Sequence, residues 1–203
     1  MNIFKEIIMK KLTAIVLALT LLLAFSACTQ KPLGEVNTSP AEIEKAIADA
    51  LGDNYLCDMD YDEEMFFSNF GFDKNKIESY VAKASMMSTH PDTVVILKTK
   101  DGYADEAVDI LNEIYGNRIR YGRDYPMNLP KILAARIIKC GDYVMYIIAG
   151  GYYDGTDEEE SAKFTADEYK KIDDAIAGIF GEAPENLAVV PDGGYGGGGM
   201  VVG

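Results

Sequence analysis

The stretch Tyr143-Val144-Met145-Tyr146-Ile147-Ile148 constrains the fold more than any other in the chain. In an extended strand successive side chains point to opposite faces, so a run that is apolar at every position must be covered on both sides. That places it in the middle of a sheet. Gly141-Asp142 immediately before it has the composition of a two-residue hairpin turn with glycine first, and Ile132 to Cys140 before the turn is a second apolar run. Together they predict a hairpin.

A second hairpin is expected upstream. Ile77 to Met86 and Thr93-Val94-Val95-Ile96-Leu97-Lys98-Thr99 are both strand-compatible, and Ser88-Thr89-His90-Pro91-Asp92 between them is turn chemistry. From Asp101 to Tyr121 the period changes to that of a helix. Ala104, Ala107, Val108, Leu111, Ile114 and Tyr115 fall on one side, and Asp105, Glu106, Asp109 and Glu113 on the other. Ser39-Pro40-Ala41-Glu42 is a capping box opening a first helix that Gly52 stops. Thr165-Ala166-Asp167-Glu168 reads as a second capping box, opening a helix that buries Tyr169, Ile172, Ile176, Ile179 and Phe180 up to Gly181. The predicted fold is α+β: one four-stranded antiparallel sheet made of two hairpins, with about three helices packed mainly on one face.

The N-terminal 27 residues do not belong to that fold. Met9-Lys10-Lys11, the apolar run from Leu12 to Ala24, and Phe25-Ser26-Ala27-Cys28 are the basic, apolar and small-residue parts of an export signal. Met1 to Ile8 precede a start that Met9 already supplies. A membrane-spanning anchor is the rival reading, but a bilayer core needs about 20 apolar residues and this run is roughly a turn short. The pattern resembles the bacterial lipoprotein signal, in which the cysteine, here Cys28, is lipidated and becomes the first mature residue. Phe25 departs from that pattern, which usually carries Leu there. The expected organisation is a signal peptide over 1–27, a tether over 28–38 containing Pro32 and Gly34, one domain over 39–182, and a glycine-rich flexible tail over 183–203.

Charge narrows the partners. The chain carries 33 acidic and 19 basic residues, a net charge of −14. Removing residues 1–27 takes away Lys5, Lys10, Lys11 and Glu6, which leaves 32 acids and 16 bases and a net of −16. Such a surface repels nucleic acid and anionic headgroups, so no nucleic-acid partner is expected and the lipid on Cys28 must supply the membrane attachment. The partners that remain are an envelope protein or an anionic wall polymer.

No catalytic constellation emerges. No Cys-x-x-Cys or Cys/His cluster exists, so no metal or cofactor is expected. Asp58, Asp60 and Asp62 match the first ligand positions of a calcium loop, but Glu63 stands where glycine is required and Asn69 where a bidentate Glu belongs. A solvated acidic turn is the expectation there. His90, the single histidine, sits beside Pro91 with no nucleophile nearby in sequence and reads as a surface residue. Beyond Cys28, Cys57 and Cys140 are an even pair, which leaves a disulfide open beside the stronger reading of Cys140 as a small buried hydrophobe. Paired acids such as Asp60 and Asp154 would have to converge for an envelope hydrolase or transferase, the alternative to a non-enzymatic binding or accessory domain. The one basic island, Arg118, Arg120 and Arg123 interleaved with Tyr121 and Tyr125, is the candidate anion-binding site.

From Phe67 to Gly150 the order of hairpin, helix, Tyr125-Pro126 and apolar hairpin resembles domain-of-unknown-function family 4358, found in small lipoproteins of Gram-positive bacteria. Ala82-Lys83-Ala84-Ser85-Met86-Met87, Val94-Val95-Ile96-Leu97-Lys98 and Tyr143-Val144-Met145-Tyr146-Ile147 carry the likeness. The resemblance implies a cell-surface lipoprotein and transfers no site residues.

Overall fold

A computed structural model describes residues 36–121 and 125–191. The sheet has five strands: β1 (Met59–Asp60), β2 (Ile77–Ala84), β3 (Thr93–Thr99), β4 (Arg136–Cys140) and β5 (Tyr143–Ile148), in the order β1-β2-β3-β5-β4. Every pairing is antiparallel. Five α-helices accompany it among the described residues: α1 (Pro40–Leu51), α2 (Glu63–Phe70), α3 (Ala104–Tyr121), α4 (Leu129–Leu133) and α5 (Glu158–Phe180).

The two expected hairpins are β2–β3 and β4–β5, and β3 joins them by pairing with β5, Val95 opposite Tyr146 and Leu97 opposite Val144. The fifth strand corrects the four-stranded expectation. It is the two-residue β1, which pairs Met59 with Ala84 and Asp60 with Lys83 inside a stretch whose alternating acids carry no apolar period.

The helices also correct the expectation of one covered face. On one side of the sheet α1 and α5 pack Ile43, Ile47, Tyr169, Ile172 and Ile176 against Val94, Ile96, Met145 and Ile147. On the other, α2 and α3 pack Phe66, Phe70, Ala107, Leu111 and Tyr115 against Val95, Leu97, Val144, Tyr146 and Ile148. The cause lies in the strands: β5 is buried at all six positions and β3 at six of seven, so leaving either face to water would expose a full row of apolar side chains. Each such side chain contributes about 1.5–3 kcal/mol when fully buried.

Local rules set most helix ends. Ser39 Oγ accepts from the Glu42 N–H at 3.2 Å while the Glu42 carboxylate accepts from the Ser39 N–H at 2.7 Å, so the first capping box forms as read. The second does not open its helix. Asp157 caps α5, accepting from the Glu160 N–H at 2.9 Å, and Glu158, Glu159 and Glu160 fill the first turn, where acids favour the positive end of the helix dipole. Thr165 therefore lies inside α5. Ile132 and Leu133, expected in a strand, belong to α4.

After α5 the chain returns to the sheet. The Leu187 N–H donates to the Ile137 carbonyl at 2.7 Å, Asn186 bridges the Ile137 N–H and the Ala135 carbonyl, and the Val189 N–H donates to Asn112 at 2.8 Å. This covers the outer edge of β4, which would otherwise present unpaired backbone groups. Of the tail expected over 183–203, residues 183–191 lie in this part, and 192–203 lie outside the described residues. Among the described residues no helix is long and apolar enough to cross a membrane.

Candidate functional site

The loop between β2 and β3, the turn leading into α4, the loop after β5 and the first turns of α5 border an open-mouthed cavity of about 340 Å³. Its walls are Thr89, His90, Met127, Asn128, Pro130, Gly151, Tyr152, Tyr153, Ser161 and Thr165, together with Lys131. Asn128 ties two of these segments together, its side-chain amide donating to the Thr89 carbonyl at 2.7 Å.

Behind the wall lies a buried ion pair. Lys131 Nζ is 3.1 Å from each carboxylate oxygen of Asp92 and 2.5 Å from the Gly150 carbonyl. Lys131 is 4% exposed and Asp92 1%. Tyr152 completes the group: its hydroxyl donates to Asp92 Oδ2 at 3.2 Å, and the Lys131 ammonium stands 3.6 Å from the centre of its ring. Two donor groups, the Lys131 ammonium and the Tyr152 hydroxyl, thus share one carboxylate and a carbonyl, with no charge left unpaired. Burial pushes the Asp92 carboxyl up and the Lys131 ammonium down from their ordinary pKa values, and the opposite charge of the partner resists both shifts. Burial and then the Asp92 charge push the Tyr152 phenol up, so it stays a donor.

A second buried carboxylate holds the loop after β5. Glu168 on α5 accepts from the Gly151 N–H at 2.8 Å, from Asn54 Nδ2 at 2.9 Å and from Lys171. Burial raises its pKa, and these donors outweigh burial, so the group titrates below the usual range. The next residue on α5 is Tyr169, whose hydroxyl donates to the Lys131 carbonyl at 2.9 Å and ties α4 to α5.

His90 is half-buried in the cavity wall, its ring 4.7 Å from that of Tyr152, rather than on the open surface expected of it. The pairing of Asp92 with Lys131, 39 residues apart, was not foreseen. The one available signal was the lone lysine inside the apolar run Leu129 to Leu133.

The expected anion site is divided by its own helix. Arg118 is half-buried, donating to Thr93 Oγ1 at 3.2 Å, and its charge pulls down a Tyr146 phenol that burial pushes up. Arg120 is exposed and hydrogen-bonded to Asn117. Two residues apart on a helix is about 200° of rotation, so these guanidinium groups leave α3 on opposite sides. Arg123 and the Tyr121 side chain lie outside the described residues, as does Cys28. Tyr125 is 48% exposed and precedes the turn that carries Met127 and Asn128.

The acidic residues singled out earlier have local roles. Asp62 caps α2 through the Glu64 and Met65 N–H groups, and Asp58 accepts from the Met86 N–H at 2.8 Å. Asp60 lies on β1 and Asp154 is exposed in the loop after β5, and neither lines the cavity. Among the described residues no group of three His, Cys, Asp or Glu side chains could hold a metal. Cys57 and Cys140 are free thiols buried in the same apolar layer.

A single antiparallel sheet sandwiched between helices, with a cavity where loops and helix ends meet, defines a small mixed α/β domain. Residues 50–149 match the family described as Domain of unknown function (DUF4358), and the domain they form belongs to it. The match runs from the end of α1 through β5, so it takes in the whole sheet, His90, Asp92 and Lys131, while the cavity wall from Gly151 to Thr165 lies beyond it. Neither the curated proteins nor the solved structures compared with the chain contain a match to it.

Proposed function

We propose that this chain is an exported protein held at the outer face of the cytoplasmic membrane by a lipid on Cys28, and that its domain is a non-enzymatic binding or accessory module taking an envelope ligand in the cavity. The observation that carries the reading is the composition of the wall. In a chain with 33 acids, no Asp or Glu lines the cavity, whereas imidazole, phenol, amide and hydroxyl groups do. That is a local exemption from the repulsion an acidic protein exerts on anions, at a place rich in hydrogen-bond donors. An anionic, hydroxyl-rich wall polymer fits this chemistry. The Asp92–Lys131 pair supports the wall, because each group is consumed by the other and neither is available as a free base or nucleophile.

The test is association of the intact protein with isolated cell-wall polymer and with membrane extract. Thr165→Phe narrows the cavity from the half-buried face of α5 without touching the ion pair. Binding is expected to weaken at least tenfold in this variant and to persist when Arg118, Arg120 and Arg123 are all changed to Ala. Loss of binding in the arginine variant with retention in Thr165→Phe moves the site to the arginine island, and no binding by the intact protein overturns the reading.

A further inference from the structure

Methionine is ordinarily a core residue, and here it is not. Of the six methionines among the described residues only Met145 is buried; Met86 is 69% exposed, Met87 60% and Met127 76%. Met86 and Met87 stand in the same loop as the single histidine, and Met127 lines the same cavity as His90. Met87 and His90 close one turn, the His90 N–H donating to the Met87 carbonyl at 2.9 Å, with Met86 next in sequence. Met127 belongs to the facing segment: the Asn128 amide beside it donates to the Thr89 carbonyl beside His90, and Met127 and His90 both line the wall.

The His90 imidazole bears on the Asp92 carboxyl only through space. Its ring packs beside Tyr152, yet neither ring nitrogen makes a hydrogen bond among the described residues. A half-buried imidazole without a hydrogen-bond partner among the described residues, with solvent-facing thioethers on its own loop and on the facing segment, offers a soft donor set. Hard and borderline cations that favour carboxylates or several imidazoles find no such cluster among the described residues, whereas thioether sulfur with one imidazole suits a monovalent, polarisable ion. We propose that His90, Met87 and Met127, with Met86 as a fourth donor, form a Cu(I) site at the mouth of the cavity. Three or four donors of this kind satisfy the low coordination number of Cu(I) without any ionised ligand, so loading displaces no proton from a thiol. Cys57 and Cys140 are poor rivals, since burial holds both thiols above their ordinary range, Cys140 at about 11, and the metal-binding form is the thiolate. The inference goes beyond the envelope-binding reading and stands without it.

The experiment is an anaerobic titration of the full chain in detergent, carrying Cys28→Ser to remove that thiol, with Cu(I) against a colorimetric Cu(I) chelator. One equivalent is expected to be retained, with both sulfur and nitrogen neighbours in the X-ray absorption spectrum. Affinity is expected to fall at least tenfold in Met87→Leu/Met127→Leu and in His90→Gln, with the thermal midpoint of the metal-free protein unchanged, because Leu replaces Met at similar volume on an exposed surface. Failure to retain Cu(I), equal affinity in the Leu variant, or tighter binding of Zn(II) than of Cu(I) overturns the proposal. So does copper that is lost on Cys57→Ser/Cys140→Ser and kept in the methionine and histidine variants.

Discussion

Lys131 and Asp92 meet with the ammonium 3.1 Å from both carboxylate oxygens, and neither side chain is more than 5% exposed. Breaking a buried pair leaves one charge with neither water nor partner, which costs about 3–5 kcal/mol. Asp92→Asn is therefore expected to lower the unfolding free energy by about that amount, and Asp92→Asn/Lys131→Met to recover most of it. In the single variant the Lys131 pKa falls further below 10.5, so the folded state binds fewer protons than the unfolded state, and its stability rises as pH rises toward 10.5. Urea denaturation of the three proteins at two pH values checks both statements; a double variant no better than the single one contradicts them.

Glu168 gives a dependence at the acid end. Its folded pKa lies below 4.5, so its contribution is complete above that pH and is lost as pH falls through the folded value. Glu168→Gln is expected to flatten the decline of the thermal midpoint between pH 5 and pH 3. An identical decline in both proteins would show that folding does not lower the Glu168 pKa.

Two glycines should respond in opposite directions to alanine. Gly150 has φ of 120°, and a Cβ there would stand 3.1 Å from the Cβ of Glu168, while its carbonyl accepts from Lys131. Gly150→Ala is expected to destabilise by about 1–3 kcal/mol. Gly178 is exposed in the last turn of α5 with open space around it, and Gly178→Ala should stabilise by up to about 1 kcal/mol. Chemical denaturation reads both, and a shift of the same sign in the two variants would contradict the account.

The elements that could be read from sequence are those whose signal is local. Thr93–Thr99, Tyr143–Ile148, the box at Ser39 and the period of Ala104 to Tyr115 each follow from spacing within a few residues. The double burial of Tyr143 to Ile148 is legible and requires helices on both faces, whereas the one-face expectation follows the general habit of antiparallel sheets to leave one face wet. Strand β1 has two residues and no apolar pattern. The start of α5 was hidden because Asp157 to Glu160 reads equally as a charged loop and as a capped acidic first turn. The cavity was not legible, since it is assembled from Thr89, Asn128, Tyr152 and Thr165, which no short-range rule connects.

The proposed location rests on Cys28. Replacing Cys28 with Ala is expected to abolish labelling by a fatty-acid analogue and to release the protein from the membrane fraction. Persistent labelling of the variant would show that the lipid is attached elsewhere, and unlabelled wild type would show plain secretion or a retained anchor.

The most direct test of the cavity as the binding site is a map of where ligand contacts fall. Nuclear magnetic resonance of the isotope-labelled full chain in detergent, with soluble wall-polymer fragments added, reports each backbone amide and the Met127 methyl separately. The account predicts shifts at Thr89, His90, Asn128, Tyr152 and Thr165 that saturate together and are absent in Thr165→Phe. Shifts centred on Arg118 and Arg120, or none at saturating polymer, would contradict it.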